Sequence, residues 1–194
     1  MIRPFSLRLA ASVLVLALVA CGKPAAPAGS EPGAAPPVAA RPAPAAVSLT
    51  PKGLGPILVG MADAEVRAAA GAANVAPSEG PDASDGCSQV RLQGQYTGAI
   101  LMLEDGKLTR ITLAEGSSLK TDRGIGVGAT PAQVLAAYPG AVSSPHKYET
   151  APAAYITAWT DPAKEGTVFE VSSAGTVAAI HAGGPSIQYV EGCA

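Results

Sequence analysis

Strand-like alternation from Tyr155 to Thr160 places Tyr155, Thr157 and Trp159 on one side of the backbone and Ile156 and Ala158 on the other. An equivalent stretch earlier in the chain puts Gln89 and Arg91 in the matching positions. Continuing the phase through neighbouring strand-like segments adds Met102, Arg110, Thr112, Glu170 and His181. Two rings flanked by arginine and glutamate have the makeup of a protein-binding hot spot, and equally of a platform on which a sugar stacks. The alternative for Tyr155 and Trp159 is a place in the core of a chain only 4% aromatic. Acid–base and metal chemistry have less to build on. His146 sits in the loop-like Pro145-His146-Lys147-Tyr148 and His181 near a strand end; neither has a ligand partner two to four residues away, so both read as surface residues and no metal site is expected. Glu104 and Asp105 fall at a solvated hairpin tip, a poor place for an acid–base pair. Asp82 and Asp85 lack the alternating ligands of a calcium loop. Ser117 and Ser118 lack a nucleophile elbow, and the glycines near 53 to 60 and 124 to 128 lack the basic residue of a phosphate loop. No cofactor and no enzymatic activity are expected.

The thiols point elsewhere. Leu18-Val19-Ala20-Cys21 closes a short apolar run, Leu9 to Val19, behind Arg3 and Arg8. Such a run falls short of the ~20 residues of a spanning helix and reads as a signal peptide over residues 1–20. Its end resembles the lipobox of bacterial lipoproteins. That resemblance implies cleavage before Cys21, a Cys21 thiol bearing two palmitate-type chains, and acylation of the new amino group. Gly22, where lipoproteins kept in the inner membrane commonly carry aspartate, implies the periplasmic face of an outer membrane, with the inner membrane and the cell surface left open. With Cys21 used, Cys87 and Cys193 are an even pair in an oxidising compartment, and a disulfide across their 106-residue separation is expected. A reactive or metal-binding thiol would want a neighbouring Cys or His, which neither has. Without residues 1–20 the chain holds 11 basic and 15 acidic side chains, a net charge of about −4 with no basic run. That charge excludes a nucleic-acid partner, and membrane contact falls to the lipid.

Residues 21–47 hold the lipidated cysteine and a Pro/Ala-rich stretch without periodicity, read as a disordered tether. The globular domain is expected over 48–194, as two repeats at about 53–118 and 121–185, offset by 68 residues: Gly60, Val66, Ala68 and Ala69 recur as Gly128, Val134, Ala136 and Ala137. Thr130, Pro131 and Gln133 open the second helix as N-cap, first helical residue and capping box, whereas Ala62 leaves the first start looser. Each helix precedes three strand-like segments. The fold class expected is therefore α+β: two tandem units, each a helix plus a three-stranded antiparallel meander, joined in one sheet with both helices on one face and the other face open.

Gly128-x-Thr130-Pro131-x-Gln133-Val134 and its copy at 60–66 resemble the helix opening of the small outer-membrane assembly lipoproteins called SmpA/OmlA, or BamE. The tandem plan is similar to that of the β-lactamase inhibitor protein, and the ending Glu191-Gly192-Cys193 to a group of bacterial lipoproteins some of which carry a lectin label. These resemblances imply a binding module that grips another protein, in envelope assembly or in inhibition of an envelope enzyme. The alternative is a lectin-like binder of carbohydrate or peptidoglycan.

Overall fold

The computed structural model describes residues 47–76, 86–161 and 164–193. The signal peptide, Cys21, nearly all of the tether, and Asp82 and Asp85 lie outside the described residues. After β1 (Ser48–Thr50) the chain doubles back twice, at Pro51-Lys52 and Gly55-Pro56, into β2 (Gly53–Leu54) and β3 (Ile57–Leu58). These tight returns bury Leu49, Leu54 and Ile57 together. Helix α1 (Asp63–Ala70) follows; Ala62 offers no side-chain cap, and Glu65 instead turns back to accept from the Ala62 backbone N–H at 2.8 Å. Three strands come next, β4 (Cys87–Arg91), β5 (Ala99–Glu104) and β6 (Lys107–Leu113), then β7 (Lys120–Thr121). Helix α2 (Pro131–Ala137) carries the full box: the Gln133 N–H donates to Thr130 Oγ1, and the Thr130 N–H to Gln133 Oε1. The chain ends through β8 (Val142–Pro145), β9 (Ala154–Asp161), β10 (Glu165–Val171), β11 (Val177–Gly183) and a short 3₁₀ turn, Pro185–Gln188.

Two sheets result. The larger runs β4-β5-β6-β11-β10-β9-β8, with every neighbouring pair antiparallel; the smaller runs β3-β2-β1-β7, with β7 parallel to β1. The expected α+β arrangement, two helix-plus-three-strand units sharing a single sheet, is thereby corrected. Among the described residues the domain is mostly β, eleven strands in two sheets against helices of eight and seven residues. Two physical causes lie behind the difference. Two-residue strands made by successive tight turns leave no alternation to detect, so the second sheet was invisible. Val142–Pro145 adds a further strand by pairing with β9, with Val142 opposite Thr157 and Ser144 opposite Tyr155.

Alternation gives the large sheet two dissimilar faces. One carries Val90, Leu101, Ile111, Leu113, Ile180, Phe169 and Ile156 into a core closed by Val66 and Ala70 of α1, Val134 of α2, and the small sheet's Leu49, Leu54 and Ile57. The opposite face is crossed by the chain itself. From Gly184, whose N–H donates to the Thr109 carbonyl at 3.0 Å, a C-terminal strap returns over the sheet to the Cys87–Cys193 disulfide on edge strand β4. Near its end Gly192, at φ +71°, passes so close that an added Cβ would sit 2.5 Å from Gln89 Nε2 and 3.0 Å from Arg110 Nη2. Because the bridge closes a loop of 106 residues, the Cys87→Ser, Cys193→Ser pair is expected to lose about 4 kcal/mol of stability. Urea denaturation measures it, and an unchanged midpoint would remove the disulfide from the account.

Candidate functional site

Directly paired residues share a sheet face, and the register lines up one row after another. Gln89 lies opposite Met102, Met102 opposite Arg110, and Arg110 opposite Gly183. Arg91 lies opposite Ile100, Ile100 opposite Thr112, Thr112 opposite His181, His181 opposite Val168, and Val168 opposite Thr157. Glu170 faces Tyr155, and Gly166 faces Trp159. Every residue of the candidate binding face therefore stands on the side away from the helices.

The strap then divides them. Arg110, 5% exposed, lies beneath it and donates from Nη1 to the carbonyls of Ser186 at 3.2 Å and Tyr189 at 2.8 Å. Burial pushes the Arg110 guanidinium below its ordinary pKa, while the charges of Glu104 and Glu170 hold it up. Gln89 and Arg91 are exposed on β4 at the far edge. Trp159 is half-buried over Gly166, where an added Cβ would meet its ring at 2.8 Å and Ile187 Cδ1 at 3.3 Å. Met102 and Thr112 are buried within the sheet, and Tyr155, Thr157, Glu170 and His181 line a recess of about 230 Å³, together with Ser144 and Val168. Its outer wall is the strap at Ile187, Gln188, Tyr189 and Val190.

Glu170 is the centre of a hydrogen-bonded chain. Its Oε1 lies 3.1 Å from His146 Nε2 and its Oε2 lies 3.2 Å from His181 Nε2. His146 Nδ1 accepts backbone N–H bonds from Tyr148 at 3.2 Å and Glu149 at 3.1 Å. An acceptor nitrogen carries no proton, so the ring's hydrogen sits on Nε2 and is aimed at the carboxylate. His181 Nδ1 lies 2.9 Å from Thr112 Oγ1; with the hydroxyl donating, His181 also presents Nε2–H to Glu170. Both rings thus spend Nε2 as a donor, the atom a metal ion would need bare. The His181 hydrogen bond, helped by His146, holds the Glu170 carboxyl below the usual carboxylate range against the opposing effect of burial. Burial lowers the His181 imidazole below the ordinary histidine value, outweighing Glu170, which raises it. The site is one carboxylate that accepts Nε2–H from two imidazoles, His146 on one oxygen and His181 on the other.

Both histidines were read as surface residues. The structure corrects this: the His146 side chain is 4% exposed and His181 13%. His146 also stacks on Tyr155, with ring centroids 4.6 Å apart. Its partner Glu170 is 24 residues away, beyond any local spacing rule. Above the recess the Tyr148 hydroxyl donates to Glu191 of the strap. The Tyr155 hydroxyl is buried with no partner of good hydrogen-bond geometry; the Lys147 backbone N–H only approaches it.

Removing the guanidinium strands two strap carbonyls, so Arg110→Met is expected to cost about 2–3 kcal/mol and to speed amide hydrogen exchange in residues 184–193; slow exchange there would show the strap needs no such anchor. The pH dependence has a definite sign. The folded state favours neutral His181 and ionised Glu170, so stability is full at alkaline pH and declines as pH falls through the unfolded histidine value near ~6.5, then again through the carboxylate range. The urea midpoint is expected to drop between about pH 7.5 and 5.5, by less in His181→Gln, and a midpoint that rises in acid contradicts the assignment.

Compared with models of protein families, with curated proteins and with solved structures, the chain shows no match, and its site is read from its own geometry.

Proposed function

We propose that this chain is a lipid-anchored binding module of the bacterial envelope that grips a partner protein at the recess between its sheet face and its C-terminal strap. The observation that carries this reading is the mouth of the recess. Tyr189 and Val190 on the strap and Tyr148 on the adjoining loop are 47%, 39% and 59% exposed. Large apolar side chains grouped around a polar recess have the composition of a protein-binding hot spot. The lipobox-like segment ending at Cys21 supplies the anchor, and the Pro/Ala-rich tether the reach.

Two other chemistries have weaker support. A sugar platform wants an uncovered ring face, but His146 covers one face of Tyr155 and Trp159 is half-buried. Thr112, His181 and Glu170 have the order of a nucleophile, a base and an orienting acid. Thr112, however, is buried behind His181 and is not among the residues that line the recess.

Affinity capture from intact envelopes tests the reading. A partner enriched by the wild-type chain is expected to be lost by the Tyr189→Ala, Val190→Ser pair and kept by Leu135→Ser, an exposed position on α2 across the sheet. Equal recovery by both variants would sink it. The anchor is tested separately: Cys21→Ser is expected to leave the membrane fraction, and a variant that stays there would refute lipid anchoring.

A further inference from the structure

The recess is selective in charge. Among the residues that line it, Glu170 is the one carboxylate, and no lysine or arginine stands with it. The Arg110 Nη1 protons are committed to the strap carbonyls. The nearest basic side chain of the loop, Lys147, stands outside, its ammonium 5.1 Å from the centre of the Tyr148 ring. Glu170 opens into the recess with the spare lone pairs of both oxygens, because each imidazole uses one of roughly four acceptor sites. The walls are apolar where a ligand's stem would lie: Val168 beneath, Ile187 and Val190 to the side.

We infer that the recess receives a lysine side chain of the partner protein, its methylene stem against Val168, Ile187 and Val190 and its ammonium on Glu170. Size and geometry both favour lysine. About 230 Å³ holds one long side chain, and is below the ~300–1,000 Å³ of sites that take whole small-molecule ligands. A guanidinium is bound best by a carboxylate whose two oxygens are both free for its planar fork. Here each oxygen already accepts an imidazole N–H, and an ammonium needs only one of them. Because His146 and His181 donate rather than accept, they hold the carboxylate in place without competing for the cation.

This inference rests on the protein-binding reading above, and its test is kept separate from partner capture. The full chain in detergent is titrated with the blocked amino acids N-acetyl-lysine, N-acetyl-norleucine and N-acetyl-arginine methylamide, followed by NMR shifts of the recess residues. Saturable binding of the lysine compound is expected, with none by norleucine and weaker binding by arginine. Glu170→Gln keeps the shape and removes the charge, and should weaken lysine binding about tenfold or more. No binding of the lysine compound, equal binding of norleucine, or full affinity in a folded Glu170→Gln chain would each overturn the inference. If Glu170→Gln does not fold, the lysine-against-norleucine contrast on the unaltered chain decides. Partner capture that survives a negative titration leaves the protein-binding reading standing and removes only the lysine; a positive titration with no captured partner does the reverse.

Discussion

A guanidinium taken out of water must find acceptors or it destabilises whatever buries it. Arg110 sits near the middle of a seven-stranded sheet, on the face without helices, opposite Met102 and Gly183, neither of which has a side-chain oxygen. The acceptors come from the strap, through the carbonyls of Ser186 and Tyr189. The rest of that face follows. Ile187 is drawn down against Gly166 and Trp159, where the missing side chain leaves room. Gly192 slips past Gln89 and Arg110, and Cys193 reaches Cys87. The strap is fixed at Gly184 and at Cys193, and its middle stands as a wall beside β9, β10 and β11. The recess is the space between that wall and the floor.

The floor is set by a second polar commitment. Glu170 would be costly in a half-buried position if it were alone. Two imidazoles meet it, one from the same sheet face and one from the loop after β8, and each is turned the right way by something else: Thr112 for His181, the backbone N–H groups of Tyr148 and Glu149 for His146. The carboxylate is thus fixed in direction and charge before any ligand arrives, which lowers the cost of binding one. The apolar core on the opposite face makes this affordable, since Phe169 and Ile180 alternate with Glu170 and His181 along the same two strands.

How far this was legible in the sequence depends on the range of each interaction. Side-chain alternation is local, so the candidate face from Gln89 to His181 could be phased from the residues alone, as could the Thr130 and Gln133 cap of α2. Pairings across tens of residues could not. Arg110 and Ser186 are 76 apart and His146 and Glu170 are 24 apart, and nothing near His146 hints at a carboxylate. The strap has no periodicity to read, so the sequence predicts an open face where the chain covers it. The layer plan failed for a related reason: a sheet made of two-residue strands and one parallel pairing between β1 and β7 carries no alternation, and the 68-residue offset drew attention to what the two halves share.

The two fastenings of the strap are not equivalent. The disulfide holds residue 193 to edge strand β4, whereas Arg110 holds the carbonyls of Ser186 and Tyr189, at the wall itself. Opening the bridge lengthens the accessible unfolded chain and frees the terminal residues, but leaves the wall hydrogen-bonded to the sheet. Loss of the guanidinium does the opposite: the end stays tied and the wall is left slack. Global stability and the shape of the recess therefore depend on different residues, and a change in one need not report on the other. For the binding role proposed above, the shape of the recess is the property that matters, and the hydrogen bonds that set it come from a single buried arginine rather than from the covalent bond.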